Sequence, residues 1–320
     1  MPGLEPRGML LSIVVVSWNT CDLLVQCLQS VYGTLEAWTI SCEVIVVDNA
    51  SMDDSVQAVR RRFPGVVLIE NPVNVGFARA NNQAIERSEG QYVLLLNPDT
   101  VVQPGAIQGL LHFMDTHPQA GAVAPKLVNP DASFQASWAR FPTLLSEFFL
   151  MTGLARVFVG PYAPSPRPQP QEAARFVDWV AGAALLVRQS AVDQVGALDE
   201  RYFLYSEETE WCWRLWQGGW EVWYLPDVAI VHYGGASTRK LMVESYVQLY
   251  ASKVRFFTGT WGLETAQRLR IMLIVVSCFR LVLWILLGVV CVLGGGGRSM
   301  RKRFRREMAL LRWAWAARVE

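Results

Sequence analysis

Three groups of residues in this sequence have the types and spacing that chemistry asks for. The apolar run YVLLL (92–96) breaks off at Asn97-Pro98-Asp99. A carboxylate at the end of a core strand is costly unless a cation or water meets it. Pro98 has a fixed φ and biases Asn97 toward an extended backbone, so Asp99 is presented on a rigid strand edge. Such a group suits a hard divalent cation, Mg²⁺ or Mn²⁺, which takes one or two protein carboxylates and fills its shell with water and substrate phosphate. Glu207, Glu208 and Glu210 crowd the start of a helix expected over about Ser206 to Gln217, amid Tyr202, Phe203, Tyr205, Trp211, Trp213 and Trp216. Carboxylates among aromatics hold protons tightly, which suits a general base. The same acids also serve a helix N-terminus, with Glu210 paired to Arg214 one turn on. His232 precedes Gly234-Gly235, a pair that lets backbone approach a ligand. It reads either as a ligating group or as a satisfied structural histidine.

These residues need a frame. LLSIVVVS (10–17), EVIVVD (43–48), VVLIE (66–70) and YVLLL (92–96) have the composition of buried parallel strands. Between them, 22–31 spaces Leu23, Leu24, Cys27, Leu28 and Val31 at helical intervals. Ser51 or Asp53 caps a helix running to Arg62, and 78–87 supplies another. Pro104 is expected to open a fourth, with Ile107, Leu110, Leu111 and Met114 on one face. This alternation predicts a doubly wound α/β sheet, which binds ligands at the carboxyl ends of its strands. Those ends are polar: Ser17-Trp18-Asn19, Asp48-Asn49, Glu70-Asn71 with Asn74 beyond, and Asn97-Pro98-Asp99. Any one of them serves as a cap or turn; together they line one crevice.

The second half is less regular. Residues 128–178 lack periodicity and include PYAPSPRPQP (161–170), expected to be an extended surface loop. LLSEFFLMTGLARVF (144–158) reads as a core helix or as a lip touching lipid or acceptor. FVDWVAGAALLVR (176–188) is expected as one strand, and EVWYL (221–225) and AIVHY (229–233) as two more. No G-x-x-x-x-G-K-[ST], G-x-G-x-x-G after a strand, or G-x-S-x-G occurs, which removes the main support for P-loop, dinucleotide-binding and α/β-hydrolase readings. The six cysteines form no C-x-x-C pair and read as reduced thiols.

In order along the chain, VVVSWN, VVDNASMDD, NVGFARANN, LLLNPDT, WVAGAALLVR, YFLYSEETEWCWR and HYGGAS resemble the family 2 glycosyltransferases, and among them the rhamnosyltransferase-type branch. The resemblance implies a GT-A fold, with the mostly parallel doubly wound sheet flanked by helices. It also implies inverting sugar transfer from a nucleoside diphosphate sugar, with dTDP-L-rhamnose as the expected donor. By that likeness Ser17, Trp18, Asn19 and Asp48 hold the nucleotide, and Asn74, Gly76 and Asn82 line its pocket. Asn97 and Asp99 stand where the family carries D-x-D. His232 matches a position that completes the metal shell in some relatives. Glu208 takes the second place of an E-D pair, the usual base, with Glu207 and Glu210 as supports. Two departures follow: Asn97 replaces an anionic D-x-D member, and Glu208 replaces the commoner Asp. The division implied is a transferase domain over 1–258, with a nucleotide half over about 10–127 and an acceptor half over about 128–258, and a tail over 259–320.

The tail carries a separate signal. Residues 298–320 hold a net charge of +6 against −5 for 1–297. A basic tail after an apolar stretch points to an anionic membrane surface, and no basic groove in the body points to nucleic acid. IMLIVVSCFRLVLWILLGVVCVL (271–293) is long enough to cross a bilayer, which takes ~20 residues. Arg280 at its middle, and a polybasic flank that one crossing would put opposite the body, favour an in-plane or re-entrant anchor. In that arrangement Arg280 snorkels, Gly294 to Gly297 turn, and Trp284, Trp313 and Trp315 mark the interface. The N-terminal run reads as a first core strand, so the body is expected at the cytoplasmic face of the membrane. The acceptor expected there is a polyprenyl-diphosphate-linked saccharide. The competing readings are a non-catalytic nucleotide-sugar-binding scaffold and a nucleotidyltransferase on a related sheet; the latter lacks its Gly-rich phosphate loop.

Overall fold

The computed structural model describes residues 9–36, 38, 40–156, 172–235, 242–291 and 297–316. They form two compact units: the described parts of 1–141, 164–203 and 207–237, and those of 142–163, 204–206 and 238–320.

The first unit is built on β1 (Leu11–Ser17), every residue of which is buried. It pairs in parallel with β2 (Cys42–Asp48) on one side and β4 (Tyr92–Leu96) on the other. A strand covered on both faces and both edges can be apolar throughout, which explains the unbroken Val/Ile run. α1 (Cys21–Glu36) turns Leu24, Cys27, Leu28 and Val31 inward. α2 (Ser55–Arg62) leads to the outer strand β3 (Val67–Glu70), and α3 (Phe77–Ile85) leads into β4.

Beyond Asp99 the chain reverses into β5 (Thr100–Val102). Thr100 N–H and its hydroxyl both donate to the carbonyl of Asn97, at 3.2 and 2.8 Å, closing a tight turn. α4 (Ala106–Thr116) starts two residues later than expected. Pro104 and Gly105 instead form the middle of a turn closed by Ala106 N–H on the carbonyl of Gln103, with Gly105 at φ +79°. That is the Pro-Gly pattern of a type II turn.

β6 (Ala120–Val128) is a strand in a stretch for which the sequence predicts none. Two short strands follow, β7 (Phe134–Gln135) and β8 (Trp138–Ala139). The segment expected as one strand over 176–188 is three: β9 (Arg175–Phe176), β10 (Trp179–Val180) and β11 (Ala184–Arg188). α6 (Gln189–Val195) and α7 (Glu207–Gln217) precede β12 (Glu221–His232), which merges the two strands expected there through register shifts after Glu221 and Leu225. Among the described residues the main sheet runs β3-β2-β1-β4-β11-β6-β12-β5. β11 and β5 are antiparallel to their neighbours and the other pairs along this path are parallel.

The second unit contains α5 (Leu144–Thr152), then α8 (Met242–Trp261), α9 (Leu263–Cys291) and α10 (Gly297–Ala316). Thr143 and Ser146 cap α5 reciprocally, and Glu147, buried within the unit, pairs with Lys253 of α8 at 2.7 Å. The basic tail is thus a helix. Arg280 does not snorkel. It donates to Glu307 Oε1 at 2.6 Å, to the Tyr246 hydroxyl and to the carbonyl of Met151, because Glu307 is buried on α10 and needs a cation. Gly297 opens α10; residues 294–296, the Pro-rich segment 161–170 and Ala236-Ser237 lie outside the described residues.

Candidate active site

The turn at 97–100 explains how Asp99 meets His232. β5 pairs antiparallel with the end of β12, placing Thr100 opposite His232, and Tyr233 N–H donates to the carbonyl of Asp99 at 2.9 Å. His232 Nε2 lies 3.3 Å from Asp99 Oδ1, and both side chains are largely buried. Gln135 fixes the other side of the ring. Its Nε2 donates to Asn129 Oδ1 at 3.0 Å, so its Oε1 is the end that faces His232 Nδ1, at 2.6 Å. Nδ1 therefore carries the proton, and in the neutral ring Nε2 presents a bare lone pair to Asp99. Two acceptors at 3.3 Å call for positive charge between or upon them, either a second ring proton or a metal ion. Adjacent ligands of Mg²⁺ or Mn²⁺, each bound at about 2.1 Å, stand about 3 Å apart, so the pair fits such an ion. Among the described residues no three His, Cys, Asp or Glu side chains are grouped to hold a metal.

The strand ends gather as their polarity predicts. Ser17 and Asp48 finish adjacent strands in register. Asp48 accepts from Ser51 N–H at 2.9 Å through Oδ2, while its buried Oδ1 has no hydrogen-bond partner among the described residues. The Ser17 hydroxyl lies 3.0 Å from that of Thr20. Asn19, with φ +54°, bonds Ser51 through its N–H and Met52 N–H through its Oδ1. Trp18 beside it is half-buried. Asn49 ties the next loop: its amide donates to Asn74 Oδ1 at 2.9 Å and the Gly76 carbonyl at 3.2 Å, and its Oδ1 accepts from Val75 N–H and Asn71. Asn74 Oδ1 also takes Gly76 N–H. At Gly76 a β-carbon would stand 2.7 Å from the carbonyl oxygen of Phe203, which accepts Phe77 N–H. Glycine there is a condition of that close approach. The Asn82 amide is engaged elsewhere, donating to the Leu198 carbonyl and Glu200 and accepting Leu198 N–H.

The three glutamates divide by environment. Glu207 is buried, and burial first, with the neighbouring Glu208 charge adding to it, raises its carboxyl well above the ordinary range. Glu210 grips Arg214 at 2.7 Å, and that guanidinium also donates to the carbonyls of Val195, Gly196 and Ala197. Glu208 lies against Gly182: a β-carbon there would be 3.4 Å from that of Glu208. The next residue, Ala183, accepts Asn97 N–H at 2.9 Å. Consecutive residues of one loop therefore touch the Glu208 side and the Asn97-Pro98-Asp99 turn. The backbone entering α7 is left-handed at Tyr205 and Ser206 (φ +69° and +66°), a cost that functional sites commonly carry. Asn97 Oδ1 is buried with no partner among the described residues.

Gln135 was not legible in sequence, since it sits on a two-residue strand in a stretch without periodicity. In sequence Asn49 reads only as a strand end, and the asparagines at 71 and 74 are the signal for its role as a hub.

This sheet order, with an acid and a histidine at one strand edge and acids beginning a helix nearby, is the GT-A architecture. A solved structure of GalNAc-T7 with UDP, GalNAc and Mn²⁺ matches with a TM-score of 0.57 at 15% identity, covering 79% of this chain and 48% of that one. This chain thus spans about half of that relative. The mannosyltransferase PcManGT from Pyrobaculum calidifontis, in complex with GDP-Man and Mn²⁺, matches with a TM-score of 0.52 at 16% identity, covering 95% of this chain and 85% of that one. The model described as "Glycosyl transferase family 2" matches residues 12–165, and that described as "Glycosyl transferase family group 2" matches 92–317. The chain belongs to glycosyltransferase family 2. It is similar to the N-acetylglucosaminyl-diphospho-decaprenol L-rhamnosyltransferase of Mycobacterium tuberculosis, at 34% identity over 215 residues, 61% of this chain and 67% of the relative. It is also similar to rhamnosyltransferase WbbL of Escherichia coli K12, at 24% identity over 248 residues, 73% of this chain and 87% of the relative.

Proposed function

We propose that the chain transfers a sugar, with inversion, from a nucleoside diphosphate sugar to a polyprenyl-diphosphate-linked saccharide at the cytoplasmic face of the membrane, in envelope polysaccharide synthesis. dTDP-L-rhamnose is the donor that its rhamnosyltransferase relatives favour. The chemistry falls within 1–258, and 259–320 attaches the enzyme to the membrane. The observation that carries this reading is the separation of the three glutamates. Burial raises the Glu207 carboxyl well above the ordinary range, Glu210 is committed to Arg214, and Glu208 lies against the Gly182-Ala183 loop whose next carbonyl holds the Asn97 turn, which supports Glu208 as the base.

Ser17, Trp18, Asn19 and Asp48 receive the nucleoside, with the unpartnered Asp48 Oδ1 as the acceptor for its base or ribose. Asn74 and Gly76 shape the wall that Asn49 fixes, and Asn82 holds the 198–200 turn behind it. Asp99 and His232 present the two atoms that fit Mg²⁺ or Mn²⁺, and Mn²⁺ accompanies a nucleotide or nucleotide sugar in the two solved neighbours. When bound, the ion would neutralise charge on the diphosphate leaving group. Asn97 supplies no negative charge beside the pair, so substrate phosphate would contribute more of the affinity for such an ion. Glu208 takes the proton of the acceptor hydroxyl as that oxygen bonds to the anomeric carbon. The bond from that carbon to the diphosphate breaks with its electron pair, and the nucleoside diphosphate leaves. One displacement inverts the centre.

The test is a panel of TDP- and UDP-sugars offered to the purified chain with a lipid-diphosphate-linked saccharide and Mg²⁺ or Mn²⁺. The expected product has the anomeric configuration opposite to the donor's. Retained configuration, or neither transfer nor slow donor hydrolysis with any donor, would overturn the proposal and leave a nucleotide-sugar-binding scaffold.

A further inference from the structure

Helix α9 divides its surface by kind. Ala266, Leu269, Leu273, Val276, Ser277 and Leu281, spaced three or four apart, are buried. On the other side Ile271, Val275, Phe279, Val282 and Leu286 form a stripe, each more than half exposed. Such a continuous apolar face on a water-soluble surface marks an interaction site. The charge is displaced from this stripe in a definite way. Glu307 of α10 accepts from Ser277 at 2.9 Å, from Arg280 at 2.6 Å and from Tyr246 at 2.8 Å, and Arg270 donates to the carbonyls of Ala314 and Trp315. The two helices therefore run antiparallel, with 280 level with 307 and 270 level with 314. Lys302, Arg303 and Arg305, all exposed, fall beside the middle and far part of the apolar stripe.

We propose that α9 and α10 form an in-plane docking surface for an anionic lipid bilayer, the apolar stripe entering the acyl boundary and the α10 cations meeting the headgroups. Leu263–Leu286 is long enough to cross a membrane, at about 36 Å. A crossing, however, would carry the exposed cations of α10 to the depth of Arg280, because hydrogen bonds from Arg270, Ser277 and Arg280 tie the two helices together. Lying flat satisfies both faces at once. A second copy fits the stripe less well, since it would bring its own cations against these. Leu145, Phe148, Leu150 and Leu154, exposed around the Met151 carbonyl that Arg280 holds, extend the same apolar character within this unit.

This inference rests on the membrane attachment proposed above and adds its mode; its test reads lipid depth rather than turnover, so it can fail while sugar transfer stands. Cys278 lies exposed on the apolar side. In the full chain, with Cys21, Cys42 and Cys291 changed to Ser, spin labels are placed at Cys278 and, in separate variants made with Cys278→Ser, at Ile271→Cys and Leu286→Cys. Relaxation by oxygen and by a nickel chelate then gives each label's depth on phosphatidylcholine vesicles with and without phosphatidylglycerol. The expected result is one shallow depth for all three labels, with binding dependent on phosphatidylglycerol and reduced at least tenfold by Phe279→Asp without a change in Tm. A label at Cys278 about 10 Å deeper than the other two would mean a crossing and overturn the proposal. So would labels that stay in water on both vesicles, or that become buried without lipid in a concentration-dependent dimer.

Discussion

Asp99 and His232 are two acceptors turned toward each other by neighbours that leave them no alternative. The turn at Asn97 aims the carboxylate, and Gln135 removes the choice of tautomer. Gln135→Leu keeps the volume and takes away the acceptor for Nδ1–H. Its expected effect is a 10–100-fold loss of Mn²⁺ affinity in the presence of nucleoside diphosphate, the usual cost of losing a metal ligand's outer partner. Calorimetric titration with Mn²⁺ reads this directly, and an unchanged affinity would remove Gln135 from the metal's support. Asp99→Ala should abolish the metal dependence of donor binding; equal donor affinity with and without chelator in both wild type and variant would contradict the ligand role. Glu207 gives a pH signature. Its folded carboxyl keeps its proton above the ordinary range, so across that window the folded chain binds more protons than the unfolded one, and stability falls as pH rises. Glu207→Gln removes this contribution. Denaturant midpoints compared at pH 5 and pH 8 should lie closer together in the variant than in wild type.

At the scale of elements, the site exists because three strands end together and one turns back. β1, β2 and β4 deliver Ser17, Asp48 and Asn97 to one edge, and β5 returns to pair with β12 beside His232. The first four strands were legible because each is a short apolar run ending in polar residues, the pattern that parallel pairing imposes. β6 is not legible, since AGAVAPKLV is diluted by Ala, Gly and Pro, and small residues carry little periodicity. The antiparallel reversal at β5 and the splitting of 176–188 follow from turns and from long-range partners, Ala183 to Asn97 among them, which no local pattern records. Residue types alone do not rank the acids of α7, where only the family resemblance points to Glu208, because their difference is one of burial and of Arg214's other bonds. Gly182 belongs to the same logic: a side chain there meets Glu208. Gly182→Val should lower kcat several-fold or more with donor affinity unchanged, as expected when a reacting group is displaced by a fraction of an ångström; loss of donor binding instead would place Gly182 on the nucleotide side.

At the scale of the whole molecule, a unit built on the GT-A sheet is joined in one chain to a helical unit that exposes the apolar stripe of α9. That helical unit carries a buried ion pair whose two halves are unequal: the side chain of Glu307 is 3% exposed and that of Arg280 24%. Arg280→Met alone should cost about 3 kcal/mol in urea unfolding of this unit, since it strands a buried carboxylate, whereas Arg280→Met with Glu307→Leu should recover most of that loss. Equal costs for the single and double changes would show that the pair is not the source. The account as a whole turns on Glu208 taking the proton of an acceptor hydroxyl while the strand ends hold the donor. Its most direct test is Glu208→Gln, with nucleoside diphosphate affinity and sugar transfer measured on the same preparation. Affinity within about twofold of wild type and transfer reduced by 10²-fold or more is the predicted result; full transfer activity in the variant would contradict it.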